Sequence, residues 1–233
     1  VNLAIIPARG GSKRIPGKNI RSFAGKPMIA YSIDVALESG LFEHVWVSTD
    51  SEEIANVALQ YGADVPFIRP EALSDDYIGT YPVVNHAISY ANSVGIDPKF
   101  TCCIYATAPL IQRKYLIEGF ERLRSEPDMD FAFSVTSFAF PIQRAIRLSG
   151  KGVRPFEPGN MAKRSQDLEE AYHDAGQFYW GYSKSFINNK STFSEQSIPI
   201  ILPRHLVQDI DTAEDWQRAE LMFHAYMQGV KCE

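Results

Sequence analysis

Within ten residues near the start of the chain stand four cations, Arg9, Lys13, Arg14 and Lys18, around the paired glycines Gly10 and Gly11. The segment follows a short apolar run, Leu3–Pro7, which reads as a buried parallel strand feeding a loop. Paired glycines let backbone N–H groups approach a ligand closely, and the cations around them suit a polyphosphate. The pattern GxxxxGK[ST] is absent, so this is not a P-loop; GxGxxG is absent too, so it is not a dinucleotide fingerprint.

Near the other end, Asp209 and Asp211 flank Ile210 in QDIDTAED. On a strand end, residues two apart share a face, and two carboxylates there repel unless a cation lies between them. Magnesium takes one or two carboxylates together with phosphate oxygens and water. The same residues equally suit helix capping. Thr212 is expected to cap the last helix, with Glu214 and Asp215 serving its dipole.

The elements that must hold these groups follow from periodicity. Strands are expected at 3–7, 44–48, 65–68, 100–105, 131–136, 176–181 and 198–202. Helices are expected at 27–39, stopped by Gly40, then at 81–94, 113–124, 183–188 and 212–228, with one more opening after a cap at Asp50 or Ser51. Strands alternating with helices imply a doubly wound α/β sheet, with ligands outside the carboxyl ends of its strands. Between 138 and 172 the pattern loosens into prolines and glycines without a sustained helix, which reads as an arm inserted into one domain spanning 1–233. So long an irregular insertion predicts a partner, and a two-fold homodimer is the expectation.

The net charge of −5 provides no global field for nucleic acid. The Leu3–Pro7 run is too short for a signal peptide or a membrane span, and no other stretch is long enough. Cys102, Cys103 and Cys232 lack metal-ligand spacing and read as reduced thiols of a cytoplasmic protein.

IIPARGGSKRIPGKNI resembles the signature of the CMP-sialic acid synthetase group of cytidylyltransferases. VSTDSEEIA at 47–55, FIRPEALSDD at 67–76, YATAPLI at 105–111 and DIDTAEDW at 209–216 fall where that family has matching blocks. The resemblance implies a three-layer α/β/α, Rossmann-like nucleotidyltransferase domain with a dimerising arm. It implies that Arg9, Ser12 and Lys13, with the Gly10–Gly11 backbone, hold the triphosphate of CTP. Lys18 would be the cation nearest the α-phosphate and, with Arg9, catalytic. Asn19 would touch ribose or phosphate, Arg69 the cytidine side, and the Ala8 backbone the cytosine. Asp209 and Asp211 become the favoured magnesium ligands. The implied reaction is attack by the anomeric hydroxyl of an acidic sugar on the α-phosphate, releasing pyrophosphate.

The acceptor side departs from the sialic acid enzymes. Tyr105 stands where they carry glutamine, Ile111 where they carry arginine, and His173–Trp180 replaces their asparagine–glycine–alanine strand. The more aromatic pocket resembles the family branch that acts on pseudaminic acid, a nonulosonic acid with one hydroxyl fewer and one N-acetyl group more than sialic acid. Tyr105, Arg164, Gln166, Gln177 and Tyr179 are the substrate-binding candidates, with Arg164 suited to the sugar carboxylate. His173 fits either a solvated turn or a substrate contact. N-acetylneuraminic and legionaminic acids remain alternative acceptors. A CTP-binding protein without turnover is the rival of another class; Lys18 with the aspartate pair speaks against it.

Overall fold

The computed structural model describes residues 1–75 and 77–230. Its strands are β1 (Asn2–Pro7), β2 (Ser22–Phe23), β3 (Lys26–Pro27), β4 (His44–Ser48), β5 (Phe100–Ile104), β6 (Phe131–Ser137), β7 (Ile146–Ser149), β8 (Gly152–Pro155), β9 (Tyr172–Tyr182) and β10 (Ser197–Ile201). Its helices are α1 (Met28–Ser39), α2 (Glu52–Gln60), α3 (Thr80–Ser93), α4 (Arg113–Ser125), α5 (Ser183–Ile187) and α6 (Ala213–Val230).

Six strands form one sheet in the order β10-β6-β9-β5-β1-β4. β1 pairs in parallel with β4 and β5, and β10 in parallel with β6. β9 is antiparallel to both β5 and β6 and joins the two halves. The apolar run of β1 needs cover on both faces, and both are covered. Ala4 and Ile6 pack with α1, α2 and α4 residues such as Ile33, Ala58 and Leu116. Leu3 and Ile5 pack with Val84, Ile88 and Phe186 of α3 and α5. This is the three-layer arrangement expected, with a mixed rather than wholly parallel sheet.

The helix ends match their sequence signals. Gly40 closes α1 in the left-handed conformation (φ 66°). Ser51 caps α2 by accepting the Ile54 N–H at 3.4 Å, which frees Asp50 for another role. At α6, Thr212 Oγ1 accepts the Asp215 N–H at 3.2 Å while Asp215 Oδ2 accepts the Thr212 N–H at 2.8 Å, a reciprocal capping box.

Two expectations fail locally. Residues 65–68 are not a strand; Ile68 makes an isolated bridge with Thr49, and Asp64 just before the segment makes one with Trp46. Pro66 lacks the N–H that a ladder needs. Residues 207–211 are also not a strand but a loop leading into α6. Residues 138–171 leave the sheet as single-turn 3-10 pieces and the antiparallel β7–β8 hairpin, exposing Phe140 (83%) and Leu148 (88%). Cys102 and Cys103 are buried free thiols on opposite faces of β5; Cys232 lies outside the described residues. No helix among the described residues is long and apolar enough to cross a membrane.

Candidate active site

The loop after β1 is pinned at several points. Ala8 N–H donates to Ser48 O at 2.9 Å, fixing the loop to the end of β4. Gly10 N–H donates to Asp50 Oδ1 at 2.8 Å. A side-chain carbon at Gly10 would come within 3.1 Å of Ser51 Cβ, so the close approach to α2 favours glycine. Asn19, buried, donates from Nδ2 to Arg9 O at 2.9 Å and ties the two ends of the loop together. Ile15 sinks into a cluster with Phe23, Ile210 and Trp216, which anchors the loop against the base of α6.

These constraints turn Arg9, Lys13, Arg14 and Lys18 toward one cleft of about 470 Å³ at the carboxyl ends of β1 and β5. Ser12 and Asn19 line it beside them, and Arg69, Thr80 and Tyr105 form its other side. The expected convergence of backbone N–H groups is only partial. Gly10 N–H is held by Asp50 and Ser12 N–H by Gly10 O at 3.0 Å, so the cations supply the positive lining. Ala8, which is buried, and Gly10 and Gly11, which are exposed, do not line the cleft.

The aspartates come from the loop before α6. Ile210 is fully buried and pins that loop, with Asp209 and Asp211 on either side of it. Asp211 reaches the cleft, where its Oδ1 meets Arg14 Nη2 at 3.0 Å and Lys18 Nζ at 3.4 Å. Lys18 Nζ also donates to Ile210 O at 2.7 Å. Asp209 stands beside the cleft wall. Burial raises its pKa above the ordinary carboxylate value, the negative charge of Asp211 adds to this, and Lys18 opposes both. Such mutual repulsion, with oxygen-only donors, fits a hard divalent cation shared with phosphate oxygens. Among the described residues no three metal-binding side chains converge, so the pair cannot enclose an ion alone.

Arg69 is buried. Its Nε donates to Ser48 Oγ at 3.0 Å and its Nη2 to Ser48 O. Burial pulls its pKa down, with Asp50 opposing and Arg9 reinforcing. Tyr105 Oη lies 3.2 Å from Thr80 Oγ1, and its ring meets that of Tyr179, 5.1 Å between centroids. Burial raises both phenol pKa values, that of Tyr179 well above the usual range.

Several candidates lie elsewhere. Gln177 is buried on β9 and donates from Nε2 to Leu206 O at 2.6 Å, bracing the segment before the aspartate loop rather than lining the cleft. Arg164 engages both carboxylate oxygens of Asp167 within the arm, at 2.7 and 2.9 Å. Gln166 lines a separate hollow of about 360 Å³ between the two ends of the arm. Ile111 is in the core, so only Tyr105 of those two departures from the sialic acid pattern faces the cleft. His173 is exposed against Phe138, with Nδ1 2.8 Å from Asp174 O. In the sequence Thr80 stands out by nothing, and Asp50 reads only as a possible helix cap. Neither carries a motif that announces its role.

Residues 3–225 match the family model described as cytidylyltransferase. A pseudaminic acid cytidylyltransferase of Campylobacter jejuni subsp. jejuni serotype O:2 is 48% identical over 223 residues, covering 95% of this chain and 96% of that one. A CMP-N,N'-diacetyllegionaminic acid synthase of Legionella pneumophila subsp. pneumophila is 35% identical over 225 residues, 94% of each chain. Among solved structures, a CMP:2-keto-3-deoxy-manno-octonic acid synthetase complexed with CTP aligns with a TM-score of 0.70 at 16% identity, covering 97% of this chain and 99% of that one. The last likeness bears on the fold alone.

Proposed function

Because the chain belongs to the cytidylyltransferase family, we propose that it transfers CMP from CTP to the anomeric hydroxyl of a nonulosonic acid, pseudaminic acid foremost, releasing pyrophosphate. The observation that carries this reading is the meeting of the first-loop cations with Asp211 in one cleft whose other side is Arg69, Thr80 and Tyr105. A polyphosphate fits the cationic end, and the 48% identical relative is named for pseudaminic acid.

In the reaction, the sugar's anomeric oxygen forms a bond to the α-phosphorus. The bond to the bridging oxygen breaks, pyrophosphate leaves with the electron pair, and the hydroxyl proton passes to solvent. Phosphoryl transfer of this kind needs positioning and charge neutralisation more than covalent help. Arg9 and Lys13 hold the β and γ phosphates, and Ser12 orients them. Lys18, fixed by Ile210 O, meets charge developing at the α-phosphate and leaving oxygen. Asn19 keeps the loop in shape. Arg69 takes the nucleoside side. Asp209 and Asp211 would hold magnesium, which supplies charge neutralisation on the phosphates when bound.

The exposed apolar arm supports a homodimer, with Phe140 and Leu148 as its contact surface. Buried, unbridged Cys102 and Cys103 are in keeping with a cytoplasmic location.

The test is pyrophosphate release from CTP, with and without magnesium, using pseudaminic, legionaminic and N-acetylneuraminic acids in turn. The expected result is magnesium-dependent release with pseudaminic acid at a kcat/KM at least tenfold above that for the others. Preference for another acceptor would overturn the sugar assignment alone. CTP binding without release from any acceptor would establish the non-catalytic rival.

A further inference from the structure

β9 does not run regularly against β6. Phe133 pairs with Tyr179 and Val135 with Asp174, so Ser134 alone faces the four residues Ala175–Phe178. Ser134 stitches this wide bulge, its Oγ accepting the Gln177 and Phe178 N–H groups at 3.3 and 3.2 Å. Gly176 turns within it at φ 64°. In a regular strand, residues five apart point to opposite faces and lie about 16 Å from one another. Here the bulge folds Asp174 back onto Tyr179, whose hydroxyl donates to Asp174 Oδ2 at 2.6 Å. The other carboxylate oxygen accepts Gly176 N–H at 2.8 Å, so Asp174 is oriented from both sides.

Bulges near active sites re-aim side chains, and this one ends at the cleft wall. Tyr179 packs against Tyr105, and Tyr105 lines the cleft beside Thr80. A side-chain carbon on Gly176 would lie 4.0 Å from both Tyr105 Cδ2 and Asp209 Oδ1. The wall that Asp174 sets is therefore next to the aspartate loop. A carboxylate only accepts, so the Tyr179 hydroxyl proton is directed at Asp174 and the phenol oxygen is held in place.

We propose that Asp174 is a positioning residue for the acceptor sugar: through Tyr179 it fixes the Tyr105 ring against which the sugar is selected. The inference rests on the cytidylyltransferase reading above.

The test is steady-state kinetics of the full chain with CTP, magnesium and pseudaminic acid, for wild type, Asp174→Ala, Asp174→Asn, Tyr179→Phe and the double variant Asp174→Ala/Tyr179→Phe. Asp174→Ala and Tyr179→Phe are expected to lower kcat/KM for the sugar by ~10–100-fold while KM for CTP stays within about twofold. Asp174→Asn, which keeps one accepting oxygen, is expected to recover part of the loss. The double variant is expected to be no worse than the poorer single one, because both remove the same contact. Sugar kcat/KM within about twofold of wild type in Tyr179→Phe, a KM for CTP raised as much as that for the sugar, or losses that multiply in the double variant would each overturn the inference. Should Asp174→Ala fail to fold, Tyr179→Phe, which removes a single oxygen, decides alone. A wild-type chain inactive on every acceptor would refute the catalytic reading itself, a different result from active wild type with indifferent variants.

Discussion

Lys18 and Asp211 are 193 residues apart in the chain, yet Lys18 Nζ lies 3.4 Å from Asp211 Oδ1 and 2.7 Å from the carbonyl of Ile210. One ammonium thus joins the first loop to the last, and the two ends of the chain close the site together.

Removing that ammonium is expected to damage chemistry before stability. Lys18→Ala is expected to lower kcat by ~10²–10³-fold, the usual cost of losing one charge-stabilising donor. Pyrophosphate release measures the loss. A single cooperative unfolding transition, shifted by no more than the ~1–3 kcal/mol expected for the lost Ile210 contact, alongside the lost turnover, separates this from misfolding.

Asp211→Ala is expected to abolish magnesium-dependent turnover with a stability change below ~1 kcal/mol. Its pair with Arg14 is solvent-exposed (side chains 67% and 42% accessible), and its contact with the half-buried Lys18 is long at 3.4 Å, so together they contribute about that much. Chelation of magnesium should reproduce the loss in wild type. Full activity of Asp211→Ala under magnesium would remove the metal assignment.

Asp209 should behave in the opposite sense toward stability. Its folded pKa lies above the ordinary value because of burial and Asp211. Ionising it therefore costs native stability; the cost is absent below the unfolded pKa and complete above the folded one. Asp209→Asn, without CTP or magnesium, is expected to raise Tm at pH 7 by ~1–3 °C while activity is lost. The gain should shrink as the pH falls toward 4. An unchanged or lower Tm at pH 7 would contradict this.

Arg69 carries both structure and binding. Arg69→Lys keeps the charge but cannot donate to both Ser48 Oγ and Ser48 O. A loss of ~1–3 kcal/mol in denaturant unfolding is expected, with weaker CTP binding by calorimetry. Loss of stability with unaltered CTP affinity would confine Arg69 to a structural role.

Leu148→Glu tests assembly. Leu148 is 88% exposed, so a charge there leaves the single chain undisturbed. Wild type is expected at twice the 26.2 kDa chain mass by light scattering, and the variant at the chain mass. Wild type at the chain mass at micromolar concentration would refute the dimer.

The layers and most element ends were legible because apolar periodicity and caps are local signals. β1, α1 and the Thr212 box needed nothing beyond their own residues. The Asp209–Asp211 geometry was misread as a strand end because buried Ile210 between two acids imitates strand alternation, whereas its burial comes from packing with Ile15 and Trp216. Arg164 and Gln166 look like ligand residues in the sequence, but their positions depend on how a non-periodic arm folds. Asp174 was invisible as a partner of Tyr179, since only the β9 bulge brings residues five apart into contact.

The seat of β9 between β5 and β6 also sets an order for folding. Until Tyr172–Tyr182 is available, β5-β1-β4 has no ladder joining it to β6, and β10 has yet to follow. The five buried residues of β5 then form an open, apolar edge while more than two thirds of the chain is already made. A chain truncated before Tyr172 should therefore associate through that edge, and long-range closure by β9 is the step that a slow-folding variant would expose.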